Sequence, residues 1–137
     1  MTQAKLEAIL PEGWSRPRGY SYAIRAEGQR TVYVAGQLGV ENGKLPVAAY
    51  DDFGRQWDLA LGNVVRLVRD AGGGAEHIAT MRIYVTSIED FNAAAAAVGA
   101  AWGKHLGKHF PAMTMVAISR WVDPRAKVEI EAEAVLP

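Results

Sequence analysis

Residues 127–136 alternate between apolar and charged side chains for most of their length, and this pattern constrains the fold more than any other part of the sequence. Successive side chains of a β-strand point to opposite faces of a sheet. One face of this predicted strand is therefore entirely apolar and needs cover, so we expect helices to pack against it. The apolar face holds Val128, Ile130, Ala132, Ala134 and Leu136, and the other face holds Glu129, Glu131, Glu133 and Val135.

Two segments have the periodicity needed to provide that cover. Residues 51–71 bring apolar side chains together every three or four positions, with Asp51 or Asp52 as the N-cap and three glycines following as a stop signal. Residues 87–90 resemble a capping box. From there the second predicted helix continues to about Gly107.

Shorter β-rich runs complete a fold of the α+β class. Residues 20–26 and 31–35 are separated by a turn and predict a hairpin. Two more strands are predicted at residues 80–86 and 113–118, which gives the order β-β-α-β-α-β-β. We predict a mostly antiparallel sheet with two helices on one face.

Chain length and the positions of proline and glycine bear on the domain organisation. A chain of 137 residues is long enough for one hydrophobic core, so we predict a single domain over residues 1–137. Prolines and glycines punctuate residues 1–18, where we predict an irregular N-terminal segment. The sequence has no signal-peptide pattern and no apolar run that could cross a bilayer, so we expect a cytoplasmic protein without a membrane partner.

Composition narrows the classes of partner and cofactor. Fifteen basic residues balance fifteen acidic ones, whereas nucleic-acid binding needs a positive face, so no nucleic-acid partner is expected. The absence of cysteine excludes disulfides and thiolate metal sites. His105 and His109 have the spacing of helical metal ligands, but Gly107 lies between them and no acidic third ligand is near in sequence. We predict no metal and no cofactor.

The strand predicted at residues 113–118 is largely apolar on both faces. Two helices cover only one side of a sheet, so a second subunit is expected to cover the other side, with pockets at the subunit boundaries. One face holds Met113, Met115 and Ala117, and the other holds Thr114, Val116 and Ile118. For Glu131 and Glu133 the alternative is a solvated outer face.

Four motifs between about Gly19 and the C-terminus carry a family resemblance. They are Gly19-Tyr20-Ser21, Val34-Ala35-Gly36-Gln37, Phe110-Pro111-Ala112 and Val128-Glu129-Ile130-Glu131-Ala132-Glu133-Ala134-Val135. With these motifs the chain resembles the RidA/YjgF superfamily. The resemblance implies a chorismate-mutase-like α+β fold in a homotrimer, with helices outside and a small-molecule cleft between each pair of subunits. The well-studied branch hydrolyses reactive enamines and imines, such as 2-aminoacrylate, to 2-keto acids and ammonia.

The resemblance also implies which residues form the site. Glu129 would be the catalytic residue that positions the attacking water, and Tyr20 would line the cleft. In the deaminase branch an arginine after the Pro-Ala pair holds the substrate carboxylate. Here that position is Met113, so this chain is a divergent member.

Two other polar groups of the deaminase branch are also replaced. The family serine is Ala35 here, which leaves the amide of Gly36 as a donor, and an asparagine of the second helix is replaced by Ala95. Met115 shares the strand face of the preceding methionine, where the pair either packs as ordinary core or shapes the cleft for a bulkier, more apolar ligand. Arg120, with Trp121 beside it, is a candidate to replace the missing arginine.

Three functions remain open from the sequence. The first is an imine or enamine deaminase with altered substrate preference, motivated by the retained Glu129. The second is a non-catalytic ligand-binding or regulatory trimer, motivated by the combined loss of arginine, serine and asparagine. The third is a ribonuclease or translation inhibitor, as some family members are described, although the zero net charge argues against it.

Overall fold

Six β-strands and three α-helices form the framework of the described part of the chain, residues 3–137, in a computed structural model. They are β1 (Lys5–Ile9), β2 (Ala23–Glu27), β3 (Arg30–Leu38), α1 (Phe53–Asp70), β4 (Ile78–Val85), α2 (Ile88–Ala93), α3 (Ala95–His105), β5 (Ala112–Ala117) and β6 (Val128–Leu136).

The main sheet has four strands in the order β3-β6-β4-β5. The β3–β6 and β6–β4 pairs are antiparallel, and the β4–β5 pair is parallel. The parallel pair is joined by the crossover through α2 and α3, since parallel neighbours need a long connection. The α+β class and the mostly antiparallel sheet are therefore confirmed.

The alternation in β6 divides the sheet into a helix-covered face and an open face. All five apolar side chains of β6 are at most 1% exposed, and its carboxylates are half-buried on the other side. Helix α1 lies over the apolar face and buries its own apolar stripe there, and its N-cap Asp52 accepts a hydrogen bond from the Arg55 amide at 3.0 Å. The predicted faces of β6 are thus confirmed.

Helices α1 and α3 approach each other closely at two glycines of α1. A β-carbon at Gly54 would come within 2.8 Å of the Ala97 β-carbon, and one at Gly62 within 2.9 Å of the His105 ring. Between these glycines, Asp58 accepts hydrogen bonds from Lys104 Nζ at Oδ2, over 2.8 Å, and from His105 Nε2 at Oδ1, over 2.7 Å. Burial acts to raise the pKa of Asp58, but these two hydrogen bonds outweigh it and hold the pKa below its usual value.

The second predicted helix is divided into α2 and α3. The Ala94 backbone amide donates hydrogen bonds to both the Asp90 and the Phe91 carbonyls, at 3.1 and 3.2 Å. The helical turn is therefore tighter at Ala94, before α3 begins. Ser87 caps α2 by accepting from the Asp90 amide at 3.0 Å, as the capping-box pattern predicts. The surrounding alanines favour a helix throughout and give no signal of the break.

The prediction that residues 1–18 are irregular is wrong for Lys5–Ile9, which forms β1. This strand pairs antiparallel with β2 from Lys5↔Glu27 to Ile9↔Ala23, and Glu7 forms a cross-strand ion pair with Arg25. The segment alternates charged and apolar residues before the first proline, and its pairing depends on a partner some twenty residues away. Residues 1 and 2 lie outside the described part of the chain.

The predicted hairpin is also wrong, because β2 pairs with β1 whereas β3 pairs with β6. The turn between β2 and β3 docks on the end of β6, where the Gln29 amide donates to the Leu136 carbonyl at 2.9 Å. Among residues 3–137 no helix is long and apolar enough to cross a membrane.

Candidate functional site

A cavity of about 650 Å³ lies on the helix side of the sheet, among α1, α2, α3 and strands β4 and β5. Its size is in the range of small-molecule sites, roughly 300–1,000 Å³. Glycines 99 and 103 of α3 leave it open, since a β-carbon at either would meet nothing within 4 Å. Its walls are mainly aromatic and thioether groups, from Trp57, Phe91, Trp102, Phe110, Met113 and Met115.

Polar groups are few around this cavity. Tyr20, 38% exposed, lies at its mouth beside Arg18, which is the one charged residue among the described lining residues. The Trp102 Nε1–H donates to the His109 carbonyl at 3.2 Å, whereas the buried Trp57 Nε1–H has no acceptor in residues 3–137. The cavity is therefore apolar inside and cationic at its mouth.

Glu129 lies on the open face of the sheet, against Gly36. A bulge interrupts the β3–β6 pairing between Val34 and Gln37, so the backbone at position 36 meets the Glu129 side chain. A β-carbon on residue 36 would overlap the carboxylate, with the carboxyl carbon only 2.7 Å away. The Trp121 Nε1–H donates to Glu129 Oε2. The half-buried carboxylate is thus held from two sides.

The other two carboxylates of β6 join a polar network beside it. Arg82 donates from Nε to Glu131 and from Nη2 to Glu133, both at 3.0 Å, and the Tyr84 hydroxyl also donates to Glu131. The hydrogen bonds from Tyr84 and Arg82 lower the pKa of Glu131. These carboxylates are half-buried and paired, so they do not form a simple solvated face.

The predicted site residues fall into two groups on opposite faces of one sheet. Residues directly opposite each other in neighbouring strands share a face. Met113 aligns with Met81 and Ala132 on the helix side, whereas Glu129 aligns with Tyr84 on the open side. A single chain therefore does not bring the carboxylate of Glu129 to the methionine-lined cavity.

The remaining predicted residues have different surroundings. Ala35 is exposed in the bulge next to Gly36, and its carbonyl accepts from Gln37 Nε2 at 3.0 Å. Ala95, the first residue of α3, is exposed. Arg120 is exposed as well, and it is absent from the described lining of the cavity.

Sequence reasoning missed Arg18, the aromatic wall and the role of Trp121 as a partner of Glu129. The position of Arg18, two residues before Tyr20, was the available signal for the first of these. A second cavity of about 500 Å³ lies beside the β1–β2 ribbon and shares Tyr20 with the first.

The two histidines with metal-like spacing have other partners. His105 donates to Asp58, and His109 Nε2 donates to the Ile78 carbonyl at 2.7 Å. In the described part of the chain, no three acidic, histidine or cysteine side chains come together as a metal site would require.

The fold and the matches with known proteins define a small α+β domain of the YjgF type. Residues 15–136 match the family model described as Endoribonuclease L-PSP, so the chain belongs to this family, the RidA/YjgF superfamily that its motifs resemble. The Schizosaccharomyces pombe protein "Protein mmf1, mitochondrial" is 30% identical over 116 residues, which cover 85% of this chain and 66% of that protein. The chain thus spans slightly less than two thirds of that relative, and a cytoplasmic location stays a prediction.

Solved structures have the same fold. YyfB from Yersinia pestis, a Rid-family protein of unknown function, is 29% identical, with a TM-score of 0.80 over 96% of this chain and 98% of that one. A member of the YjgF/YER057c/UK114 family from Mycobacterium tuberculosis is 32% identical, with a TM-score of 0.63 over 87% of this chain and 88% of that one. E. coli TdcF, crystallised with bound serine, is 25% identical, with a TM-score of 0.67 over 96% of this chain and 99% of that one.

Proposed function

We propose that this chain hydrolyses reactive imines or enamines in a cleft formed between two copies of itself within a homotrimer. The observation that carries the proposal is the Glu129 carboxylate, which Trp121 and the bulge at Gly36 hold in a fixed position on the open face of the sheet. A positioned carboxylate within reach of a water is the requirement for general-base catalysis.

In the proposed reaction, Glu129 accepts a proton from water as the water oxygen bonds to the imine carbon. The electron pair of the C=N bond moves to nitrogen, which takes up a proton, and a tetrahedral carbinolamine forms. The carbinolamine hydroxyl then gives up its proton, nitrogen takes up a proton, and a C=O bond forms as the C–N electron pair leaves with nitrogen. Imine and water thus become carbonyl compound and ammonia. The Gly36 amide would hold a polar group of the substrate, and Tyr20 with Met113 would shape the cleft.

The placement of the site residues supports an assembly of several copies. Glu129 and Met113 lie on opposite faces of the sheet, so a cleft containing both needs the carboxylate of one copy and the methionine of another. The open face also exposes large side chains, with Tyr33 at 77% and Val116 at 44%. A neighbouring copy would cover these groups.

The relatives support a small-molecule ligand. The structure of E. coli TdcF contains serine, which carries both an amino group and a carboxylate. We extend this chemistry to the present chain as a class, a small amino-acid-derived compound, and not as that particular ligand.

The test measures ammonia release from imino acids that an amino-acid oxidase generates in situ. The wild-type chain should accelerate release, and Glu129→Gln should reduce the acceleration at least about a hundredfold, since removing a general base costs roughly 10²–10⁴ in rate. Glu12→Gln, an exposed carboxylate elsewhere, is the control. Equal rates with and without protein across a broad imine panel would refute the proposal.

A non-catalytic ligand-binding trimer is the second candidate. It is favoured by Met113, a side chain that cannot hold a carboxylate at the position where the deaminase branch has arginine. Thermal-shift measurements with small acids and aromatic metabolites separate the two, because binding without ammonia release from any imine would identify the non-catalytic function.

A further inference from the structure

Arg18 lies at the mouth of the helix-side cavity. Among residues 3–137 it forms no ion pair and no hydrogen bond, and it is the one charged residue among the described residues that line this cavity. A guanidinium has five donors arranged for a carboxylate, and none of those of Arg18 bonds any of residues 3–137. Its natural complement is therefore an anion supplied from outside.

The cavity behind Arg18 selects for an apolar body. The rings of Trp102 and Phe110 stack on each other, with an interplanar angle of 3° and centroids 6.0 Å apart, and both residues line the cavity. Met113 and Met115 add polarizable thioethers that adapt to an aromatic ring. The apolar ring of a ligand can pack among these aromatic and thioether side chains while its charged end stays at the solvent-exposed mouth.

We infer that Arg18 takes over carboxylate recognition in this chain and that the cavity selects carboxylates with a bulky aromatic body. The inference rests on the proposed function in one respect, since the substrate would be an imino acid with an aromatic side chain. The guanidinium comes from the segment before β2, whereas the sequence pattern points to β5 or to Arg120. Arg120 is exposed and does not line the described cavity.

The test is isothermal titration calorimetry with three stable probes that undergo no reaction. We expect 3-phenylpropanoate to bind the wild-type protein about tenfold or more tightly than propanoate, which lacks the ring, and than 3-phenylpropanamide, which lacks the charge. Added salt should weaken binding of the acid more than binding of the amide, since Arg18 is exposed.

Variants assign the effect to one side chain. Arg18→Gln should reduce the affinity for 3-phenylpropanoate to that for the amide and leave the affinity for the amide unchanged. Arg69→Gln, an exposed arginine near the end of α1, should leave both affinities unchanged. Circular dichroism confirms that the variants fold.

Three results would overturn the inference: equal affinity of the wild type for the acid and the amide, unchanged affinity in Arg18→Gln, or loss of the preference in Arg120→Gln instead. Because the probes are not turned over, this experiment is independent of ammonia release. Absence of imine hydrolysis would refute the proposed reaction and leave the binding result standing. Failure of the binding predictions would likewise refute the role of Arg18 and leave the proposed reaction standing.

Discussion

At the scale of single residues, Glu129 and Gly36 are in contact because residue 36 has no side chain. The carboxylate occupies the volume that a β-carbon would take. Close approach is one of the few roles that only glycine can fill. The glycine thereby sets the position of the carboxylate as directly as the Trp121 hydrogen bond does.

We expect Gly36→Ala to displace the Glu129 carboxylate. Misplacing a catalytic group by about 1 Å costs on the order of a hundredfold in rate. The loss of stability should stay below the roughly 1–3 kcal/mol of core overpacking, because the overlapped atoms belong to the free end of the Glu129 side chain, which can move aside. Ammonia release and urea denaturation measure the two effects. Gly103→Ala is the stability control, because a β-carbon there meets nothing within 4 Å and alanine favours a helix by about 0.5–1 kcal/mol. Wild-type rates in Gly36→Ala would mean that the carboxylate does not act from this position.

At the scale of elements, α1 and α3 are joined by a carboxylate between two glycines. Gly54 and Gly62 bring the helices together, and Asp58 then reaches both Lys104 and His105. Since these hydrogen bonds hold the pKa of Asp58 below its ordinary value of 3.8, ionised Asp58 stabilises the folded chain.

We expect Asp58→Asn to lower the free energy of unfolding by about 0.5–1 kcal/mol at pH 7, a modest value because the group is partly exposed and screened. A carboxylate whose pKa is lower in the folded state stabilises above its unfolded pKa, and this contribution is lost as the pH falls through the folded value. The difference between wild type and variant should therefore persist from pH 7 to about pH 4, decline below 3.8 and be lost once the pH is below the folded pKa.

Urea denaturation across that pH range measures the difference. Asp70→Asn removes an exposed ion pair with Arg66 within α1 and should change stability by less than about 0.5 kcal/mol. A difference for Asp58→Asn that grows on acidification would contradict the assignment.

The elements that the sequence predicts correctly are those with a strong internal period. Helix α1 and strand β6 each follow one period over most of their length, so their type and buried face can be read without knowledge of their neighbours. Strand β1 could not be placed in this way, because five residues form a strand only when β2 is beside them. The break at Ala94 has no sequence signal, since alanine favours a helix on both sides of it.

The candidate site was predictable in part for the same reason. The orientation of Glu129 away from the core follows from the alternation in β6, whereas its contact with Gly36 depends on a bulge that the sequence does not mark. The separation of Met113 from Glu129 follows only from the pairing register of β5, β4 and β6, which aligns Met113 with Ala132 and not with Glu129. Arg18 comes from an irregular segment, where no periodicity shows which way a side chain points.

At the scale of the whole molecule, helices cover one face of the sheet, and no helix of residues 3–137 lies on the other. The open face combines the ion-paired network around Arg82 with the exposed ring of Tyr33. Large exposed side chains beside half-buried ion pairs are typical of a surface that meets a partner.

We expect Tyr33→Glu to dissociate the proposed homotrimer, since a charge would be buried at the interface without a partner. Light scattering should give three times the chain mass of 14.8 kDa for the wild type and the single-chain mass for the variant, with loss of ammonia release. Leu67→Glu, at an exposed position of α1, should remain trimeric. A wild-type chain with the mass of one copy would refute the assembly.

The placement of the two residue groups on opposite faces has a genetic consequence. In the proposed ring of three, every copy gives its carboxylate to one neighbour and its aromatic cavity to the other, so no copy owns a complete reaction centre. A copy with an inactivating substitution then abolishes activity only in the centre that uses the substituted side chain, and the other centres stay active. Mixed rings of normal and mutant chains should lose activity in proportion to the mutant fraction, which makes a defective allele additive and not dominant.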